Sequence, residues 1–252
     1  MAIPTVLKIG GSLLSQTDWP SRLNHWLQTQ PAGLYFTIVG GGEAIEAMRE
    51  LDRIHTLDQT AMHWRCIDML EATFEVAVEL LERVIPNLKT VRTSKSLCSI
   101  DSSAGQMKSE PMALATGFDI ATFCPIAPEA SAYGSGKMPF SPPHPSADGQ
   151  QQERAELVLV TVPSFYNSDS YESDPNRMLG RGNLLPQIGW QTTSDTLAMF
   201  LASVIQSNRC VLFKSCSVES FATLEDAVAA GVADSQVLQY AASGIRCELI
   251  TL

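Results

Sequence analysis

The stretch that decides the fold lies at the start of the chain and reads Val6-Leu7-Lys8-Ile9-Gly10-Gly11-Ser12-Leu13-Leu14. An apolar run ends here in a glycine pair, which predicts a strand followed by a tight loop. Adjacent glycines leave their backbone N–H groups uncovered, and such loops suit a phosphate. Lys8 stands inside the strand, where burying a cation is costly unless an anion meets it. Two interpretations are open: a phosphoryl site, or an edge strand whose lysine reaches solvent.

The same arrangement recurs further along the chain. After a helix predicted over residues 18–28, a second strand over residues 34–39 runs into Gly40-Gly41-Gly42, and a helical pattern continues over residues 44–54. Repeated strand–loop–helix units predict an α/β fold with a mostly parallel sheet. Open sheets of this kind bind ligands at the carboxyl ends of their strands, so both glycine loops are candidate binding loops.

Composition excludes several classes of partner. The chain has 252 residues, 45% of them hydrophobic, which allows one large domain or two small ones. Its net charge of −10 gives no basic surface for nucleic acid. No apolar run approaches the ~20 residues that span a bilayer, and the start lacks a signal-peptide layout. The six cysteines form no Cys-x-x-Cys pair, so we expect reduced thiols in a cytoplasmic protein.

Two familiar nucleotide-binding motifs are absent. Gly40-Gly41-Gly42 does not complete a Gly-x-Gly-x-x-Gly fingerprint. Residues 134–137 superficially look like a P-loop, but Met138 follows where Ser or Thr is required. We assign no metal ligand, because the acidic residues 169, 172 and 174 are better explained as a solvated loop than as a Mg²⁺ site.

The middle of the chain predicts one long helix and one buried strand among polar segments. The helix covers residues 57–84 and contains His63, a type of residue that is more often structural than catalytic when it stands alone on a helix. The clearest buried strand covers residues 156–163. The remaining segments are two loop-like insertions (130–152 and 166–182), an ambiguous stretch (89–109) and a short strand (120–126).

Two further charged residues stand in apolar surroundings near the C-terminus. Thr193 or Ser194 can cap a helix that runs to residue 206, with Asp195 in its first turn, where the helix dipole stabilises a carboxylate. This pattern also fits an ordinary helix start. A strand over residues 209–215 holds Lys214 near its carboxyl end. The remaining predicted elements are short helices over 224–231 and 233–243 and a last strand over 247–252.

Four segments occur in a characteristic order along nearly the whole chain: Lys8-Ile-Gly-Gly-Ser12, Val39-Gly-Gly-Gly-Glu43, Thr193-Ser-Asp-Thr-Leu-Ala198 and Leu212-Phe-Lys-Ser215. Together they resemble the amino acid kinase superfamily, which includes acetylglutamate, aspartate, carbamate and uridylate kinases. The resemblance implies one domain, a three-layer α/β/α sandwich around a mostly parallel sheet. It also implies an acceptor-binding half over about residues 1–165 and a nucleotide-binding half over about residues 183–252.

Within the superfamily, His63-Trp64 with Ile67 and Met69, and the segment 190–195, look most like the aminomethylfuran phosphate kinases of methanofuran biosynthesis. Those enzymes convert a phosphate monoester into a diphosphate. The resemblance therefore implies an ATP-dependent small-molecule kinase in one-carbon cofactor metabolism. Its acceptor would be a small anionic molecule bearing a phosphate or carboxylate, its cofactors ATP and Mg²⁺, and its assembly a homo-oligomer.

The resemblance also implies roles on the acceptor and catalytic side. Lys8 would contact the transferred phosphoryl group. Asp195 would orient Lys8 or help hold Mg²⁺. Gly40, Gly41 and Gly42 would bind the acceptor together with His63.

Five residues would bind the nucleotide under the same resemblance. Gly10 and Gly11 would donate backbone N–H groups to its phosphates, with Ser12 beside them. Lys214 and Ser215 would lie next to the nucleotide.

Two departures from the family pattern leave an alternative open. Most members place a second catalytic lysine on a late helix, whereas this chain has no lysine after Lys214. Residues 215–218 also replace a Val-Asp-Gly segment of many relatives. Either another cation substitutes, with Arg177, Arg181 and Arg246 as candidates, or the chain is a catalytically degenerate binding or regulatory protein on the kinase fold.

Overall fold

The fold is that of a computed structural model, which describes residues 3–86, 88–92, 154–173 and 184–252. Its strands are β1 (Thr5–Ile9), β2 (Gly33–Val39), β3 (Lys89–Val91), β4 (Ala155–Val160), β5 (Arg209–Lys214) and β6 (Arg246–Thr251). They form one six-stranded sheet in the order β3-β4-β2-β1-β5-β6. Every pairing in it is parallel, as the repeated strand–loop–helix pattern predicts.

Helices cover both faces of this sheet. They are α1 (Trp19–Gln28), α2 (Gly42–His55), α3 (Gln59–Glu82), α4 (Ser168–Ser173), α5 (Ser194–Val204), α6 (Leu224–Ala229) and α7 (Val237–Ala242). Helix α1 packs on one face, and α5 and α7 pack on the other. Helix α3 contributes to both cores. The three-layer α/β/α architecture is therefore confirmed in the described part of the chain.

Strand parity decides which side chains meet which helices. Along β1, Leu7 and Ile9 join the core under α1, whereas Val6 joins the core under α5. Side chains alternate between the faces of a strand, so Lys8 is on the α5 side with Val6. The same alternation along β5 puts Lys214 on the α5 side with Leu212, which pairs with Lys8 in the sheet register. Two cations consequently converge under one helix.

The two glycine loops pack directly against each other at the carboxyl ends of β1 and β2. A Cβ built on Gly11 would lie only 2.0 Å from the backbone nitrogen of Gly42. Gly42 itself begins α2 with a φ of +53°, a conformation that favours glycine. Glycine is therefore required at both positions, at one by close approach and at the other by backbone conformation.

The segment from residue 166 differs from the sequence prediction. It was expected to be loop-like, yet Tyr166 is fully buried and α4 follows it. The ring of Tyr166 lies 5.2 Å from that of Trp64 and 5.8 Å from that of Phe200, so an aromatic cluster holds it inside. The polar residues that follow Tyr166 made the segment look like a loop in the sequence.

Several other predictions concern β3 and segments outside the described residues. Strand β3 belongs to the stretch left ambiguous, and its pairing with β4 makes it the edge of the sheet. The 130–152 insertion, the strand over 120–126 and the residues Asp174, Arg177 and Arg181 lie outside the described residues. Within the described ranges, no helix is both long and apolar enough to cross a bilayer.

The loop packing predicts unequal effects of two glycine substitutions. Gly11→Ala forces a methyl group against the backbone of the second loop, and we expect it to lower the free energy of unfolding by about 3 kcal/mol. Gly231→Ala is the matched control, because Gly231 has a φ of +72° but a Cβ placed on it would meet no atom within 4 Å. Backbone strain alone should lower stability there by about 1 kcal/mol. Urea denaturation measures both values, and equal losses would contradict the close packing.

Candidate active site

A buried carboxylate lies between two buried ammonium groups at the carboxyl edge of the sheet. The Asp195 Oδ1 atom is 3.0 Å from Lys8 Nζ, and its Oδ2 atom accepts a 2.6 Å hydrogen bond from Lys214 Nζ. The three residues expose only 6%, 4% and 9% of their surface, for Lys8, Asp195 and Lys214 respectively. We call these three residues the charged triad. The structure thus brings together three side chains that the sequence singled out separately.

The start of α5 places the carboxylate between the lysines. Thr193 caps this helix, and its Oγ1 atom accepts a hydrogen bond from the Asp195 N–H at 3.2 Å. Asp195 therefore occupies the first turn, where the partial positive charge of the helix terminus stabilises it. The sequence left Thr193 and Ser194 open as the cap, and in the structure the cap is Thr193.

The triad has two ammonium groups and one carboxylate, so one positive charge is left without a counter-charge. Burial alone would raise the pKa of Asp195, but the two neighbouring ammonium groups hold it below its ordinary value. Burial and the charge of Lys214 lower the pKa of Lys8, and Asp195 opposes this shift. A further anion arriving at the triad would complete the neutralisation and favour the charged form of Lys8.

Asp234 supports the triad from the segment before α7. Its Oδ2 atom accepts hydrogen bonds from Thr193 Oγ1 at 2.6 Å and from the Thr196 N–H at 3.1 Å. Its Oδ1 atom accepts a third from Thr196 Oγ1 at 2.5 Å. Asp234 thus fixes the first turn of α5, and with it the position of Asp195. No sequence signal marked Asp234 for this role.

Gln236 supports the loop that leads into α5. It is 3% exposed, and its Nε2 group donates to Thr192 Oγ1 at 2.7 Å while its Oε1 atom accepts from the Gln187 N–H at 3.1 Å. The segment where the sequence resemblance implies a late lysine therefore supports the site through neutral and acidic side chains. No local sequence signal identifies these contacts.

A cavity of about 300 Å³ opens beside the triad. Its base is formed by Lys8 together with residues of both glycine loops: Gly11, Ser12, Gly41 and Gly42. Its walls include four aliphatic side chains: Ile45, Ile67, Leu70 and Leu197. Charged residues and an indole also line the cavity: Glu43, Glu46, Arg49 and Trp190. The cavity therefore has a cationic base, apolar walls and a second charged region.

Trp190 is fixed in this wall by two contacts that the sequence did not reveal. Its Nε1–H donates to Asp52 Oδ2 at 2.6 Å, and the guanidinium of Arg49 lies 5.2 Å from its ring centre. Three hydrogen bonds, from Gln59, Trp190 and the backbone N–H of Leu57, hold the pKa of Asp52 below its ordinary value. The loop before α5 is thereby tied to the α2–α3 turn.

His63 lines the cavity, but the protein uses both of its ring nitrogens. Nδ1 accepts a hydrogen bond from the Gly189 N–H at 3.2 Å, and Nε2 lies 3.0 Å from the hydroxyl oxygen of Tyr166. Burial lowers the pKa of His63, so the ring is neutral at pH 7. Its contact with an acceptor stays a prediction, whereas its bracing of the Gly189 loop is observed.

Two backbone N–H groups of the glycine loops are already used by the fold. The Gly10 N–H donates to the Phe213 carbonyl at 3.1 Å, and the Gly40 N–H donates to the Ile9 carbonyl at 2.9 Å. Gly10 therefore does not offer its N–H to a nucleotide, contrary to the sequence prediction, because this N–H continues the pairing of β1 with β5. Because the Gly40 N–H is also used by the fold, it is not available to bind a ligand. A Cβ on Gly40 would lie 2.7 Å from Ser194 Oγ, so this glycine provides space.

The residues expected beside the nucleotide lie at the ends of β1 and β5. Ser12 and Ser215 share a hydrogen bond of 2.7 Å between their hydroxyl oxygens, which joins the two strand ends. Lys214 is directed to Asp195, as described above. Gly11 and Ser12 face the cavity, so the first glycine loop adjoins the acceptor side as well as the β5 end.

Arg246 does not substitute for a missing cation. It pairs in register with Arg209 at the amino end of β5, five residues before Lys214. At about 3.3 Å per residue this is roughly 16 Å from the triad, and Arg246 is bound to Glu248 instead. Its place at the opposite edge follows from the parallel direction of β6.

The described residues contain no cluster of three or more His, Cys, Asp or Glu side chains that could hold a metal. Asp195, the one carboxylate expected near Mg²⁺, directs both oxygens to lysines. This geometry matches its alternative expected role, the orientation of Lys8.

The triad predicts a pH-dependent loss of stability in Asp195→Asn. Two buried ammonium groups then lack a counter-charge, and we expect a loss of about 3 kcal/mol near neutral pH. The pKa of Lys8 falls further without the carboxylate, so the folded variant binds fewer protons than its unfolded chain and gains stability as the pH rises towards 10. Chemical denaturation between pH 7 and pH 10 measures this trend.

Asp58→Asn is the control for this series. Asp58 caps α3 by accepting the Ala61 N–H at 2.7 Å, and Asn caps a helix about as well as Asp. We expect a change below about 0.5 kcal/mol with no such pH trend. A deficit in Asp195→Asn that stays constant with pH would argue against charged, buried lysines.

Comparison with solved structures identifies chains of similar architecture. The UMP kinase from Ureaplasma parvum matches with a TM-score of 0.52 at 13% identity, over 100% of this chain and 91% of that one. The UMP kinase from Bacillus anthracis matches with a TM-score of 0.52 at 10% identity, over 98% of this chain and 86% of that one. The chain matches no protein-family model and no curated protein sequence. At these identities the likeness concerns architecture, and the chain has the fold of the UMP kinases.

Proposed function

We propose that this protein is an ATP-dependent phosphotransferase that acts on the phosphate or carboxylate group of a small acceptor. The observation that carries the proposal is the charged triad, which lies beside two packed glycine loops at the carboxyl edge of a parallel sheet. Ligands bind at this edge in open α/β folds. The structural likeness to two UMP kinases agrees with the proposal at the level of the fold.

The triad suits the charge that develops during phosphoryl transfer. The transferred group passes through a transition state with negative charge spread over its oxygens, so catalysis depends on positioning and on cations. Lys8 and Lys214 supply two cations, and Asp195 fixes both before any substrate arrives. Preorganised charges of this kind need little rearrangement during the reaction.

Lys214 also accounts for the lysine that is missing from the late helix. In our proposal Lys214 serves as the second cation at the phosphoryl group. It is supplied by β5 and not by a helix that follows β5. Asp234 and Gln236 then have a supporting role only, since they hold the α5 start and the loop before it. In this proposal, the chain departs from the family pattern because its second cation comes from β5 instead of from a late helix.

The acceptor would bind where α2 begins. Gly41 and Gly42 line the cavity there, and the first N–H groups of a helix have no carbonyl partner within it, so they attract an anion. A phosphate or carboxylate acceptor is already ionised at pH 7, so the reaction needs no strong general base. A neutral His63 in the cavity wall is consistent with this chemistry.

Mg²⁺ would enter with the nucleotide. When bound with the nucleotide, it would supply further positive charge against the phosphates. The described residues offer no acidic cluster for a resident ion, and both oxygens of Asp195 contact lysines. The protein's own contribution is therefore its lysines and its backbone N–H groups.

Aminomethylfuran phosphate is our more specific proposal for the acceptor. Its support is the resemblance carried by His63-Trp64 and by the segment 190–195, and both segments contribute to the cavity wall. A cavity of about 300 Å³ suits a small phosphate monoester. A role in one-carbon cofactor synthesis, a cytoplasmic location and a homo-oligomeric state belong to the same proposal.

One observation favours a second candidate function, a binding or regulatory protein without turnover. The altered segment after β5 folds back on β6: the Val218 N–H donates to Thr251 Oγ1 at 3.1 Å, and that hydroxyl donates to the Cys216 carbonyl at 3.1 Å. A segment tied to the neighbouring strand leaves less room for a nucleotide. Ligand binding without transfer of phosphate would be the signature of this function.

Turnover of ATP with a panel of acceptors tests the proposal. The panel comprises aminomethylfuran phosphate, UMP and simple phosphate monoesters and carboxylates, and phosphorus NMR follows the new phosphoryl group. We expect transfer by the wild type and a loss of about a hundredfold or more in both Lys8→Met and Lys214→Met, because each removes a cation from the transition state.

Lys89→Met is the matched control, since Lys89 is an exposed lysine that pairs with Glu156. It should transfer phosphate at close to the wild-type rate. Nucleotide or acceptor binding without transfer to any member of the panel would favour the second candidate. Transfer that survives in Lys8→Met would overturn the proposed role of the triad.

A further inference from the structure

The cavity carries positive charge at two separate places. Lys8 lies at its base with the glycine loops, and Arg49 lies in its lining on α2. The lining also includes aliphatic side chains such as Ile45, Ile67 and Leu197. The proposed phosphoryl transfer uses the first charge and gives no role to the second.

Arg49 is held in place, and within the described residues its hydrogen-bond donors are largely unused. Its guanidinium lies over the ring of Trp190 at 5.2 Å, and Trp190 is in turn fixed by Asp52. The Arg49 Nε atom is buried and makes no hydrogen bond within the described residues. An arginine anchored by stacking, with free donors, is typical of a site that awaits an oxyanion.

Glu46 does not satisfy this guanidinium. Its Oε1 atom is 3.6 Å from the Arg49 Nε, which is too long for a hydrogen bond. The two side chains expose 65% and 40% of their surface, respectively, so solvent screens the pair and it contributes little. Glu43 also lines the cavity and is exposed. A ligand oxyanion can therefore displace Glu46 from Arg49 at a small cost in free energy.

The helix sets the distance between the two charged regions. Arg49 stands seven residues after Gly42, the first residue of α2. At 1.5 Å per residue this is roughly 10 Å along the helix axis. Side chains of a helix lean towards its N-terminus, so the two anion positions are about 10 Å apart or less.

We infer that the acceptor is an elongated molecule with an oxyanion at each end of an apolar body, and that Arg49 selects it by binding the end that does not react. The inference rests on the proposed phosphotransferase function, which assigns the reacting phosphate or carboxylate to Lys8 and the start of α2. It replaces aminomethylfuran phosphate as the candidate acceptor, because an aminomethyl group is a cation at neutral pH and Arg49 would repel it. Arg49 is then a specificity-determining residue. An acceptor of the same length with an oxyanion at one end only can contact the apolar side chains, but it leaves the guanidinium of Arg49 without a partner.

Synthetic probes of defined length test this inference without knowledge of the natural acceptor. Isothermal titration compares hexyl phosphate with the bisphosphates of propanediol, butanediol and hexanediol. The proteins are the wild type, Arg49→Gln, Arg49→Lys and Lys8→Met, each checked for folding by circular dichroism. Arg49 is partly exposed, so both of its variants should fold.

We expect at least one bisphosphate to bind the wild type about tenfold to a hundredfold more tightly than hexyl phosphate, which is the effect of a charge-assisted bidentate contact. Arg49→Gln should abolish this preference and leave the affinity for hexyl phosphate within about twofold. Arg49→Lys should restore only part of it, because an ammonium does not form the planar fork.

Two other outcomes would overturn the inference in distinguishable ways. In the first, both probe classes bind in a Lys8-dependent manner, but either the wild type shows no preference for bisphosphates or Arg49→Gln keeps that preference. The inference is then wrong and the proposed function stands. If no probe binds in a Lys8-dependent manner, the proposed acceptor site is wrong and the inference falls with it.

Discussion

The carboxylate of Asp195 between Lys8 and Lys214 is the interaction on which the rest of this site depends. A buried cation is unfavourable alone, and two adjacent buried cations are more so. One carboxylate with an oxygen for each ammonium makes the pair tolerable and leaves one positive charge in excess. That excess, at the carboxyl edge of a parallel sheet, is the property that an incoming oxyanion can use.

Four features of the structure together create this arrangement. Strand parity directs both lysines to the α5 side of the sheet, and the cap at Thr193 sets Asp195 in the first turn of that helix. The close packing of the two glycine loops brings the start of α2 beside the triad. Asp234 then fixes the start of α5 from the far end of the chain. Each contribution is local, but only the parallel sheet brings them to one place.

Sequence reasoning recovered the parts of the site that carry a local signal. A lysine inside an apolar strand is anomalous wherever it occurs, so Lys8 and Lys214 were identifiable, and the helix start identified Asp195. The parallel sheet followed from repeated strand–glycine–helix units. The mutual contact of the three side chains required the resemblance to a known family or the structure itself, because they are distant in sequence.

Other features had no signal that a single sequence can provide. Tyr166 is fully buried because aromatic rings from α3 and α5 surround it, although the residues that follow it in sequence are polar. The roles of Asp234 and Arg49 depend on partners far away along the chain. The Gly10 N–H was assigned to a phosphate because a glycine pair suggests it, whereas the sheet uses that N–H to extend the pairing of β1 with β5.

The most direct test of the central claim, that the triad is a preformed oxyanion site, is the binding of a non-hydrolysable ATP analogue with Mg²⁺ by isothermal titration. The account predicts binding to the wild type and an affinity at least tenfold weaker in both Lys8→Met and Lys214→Met, since each leaves the triad without its excess positive charge. Equal affinity of all three proteins, or no binding to any of them, would contradict it.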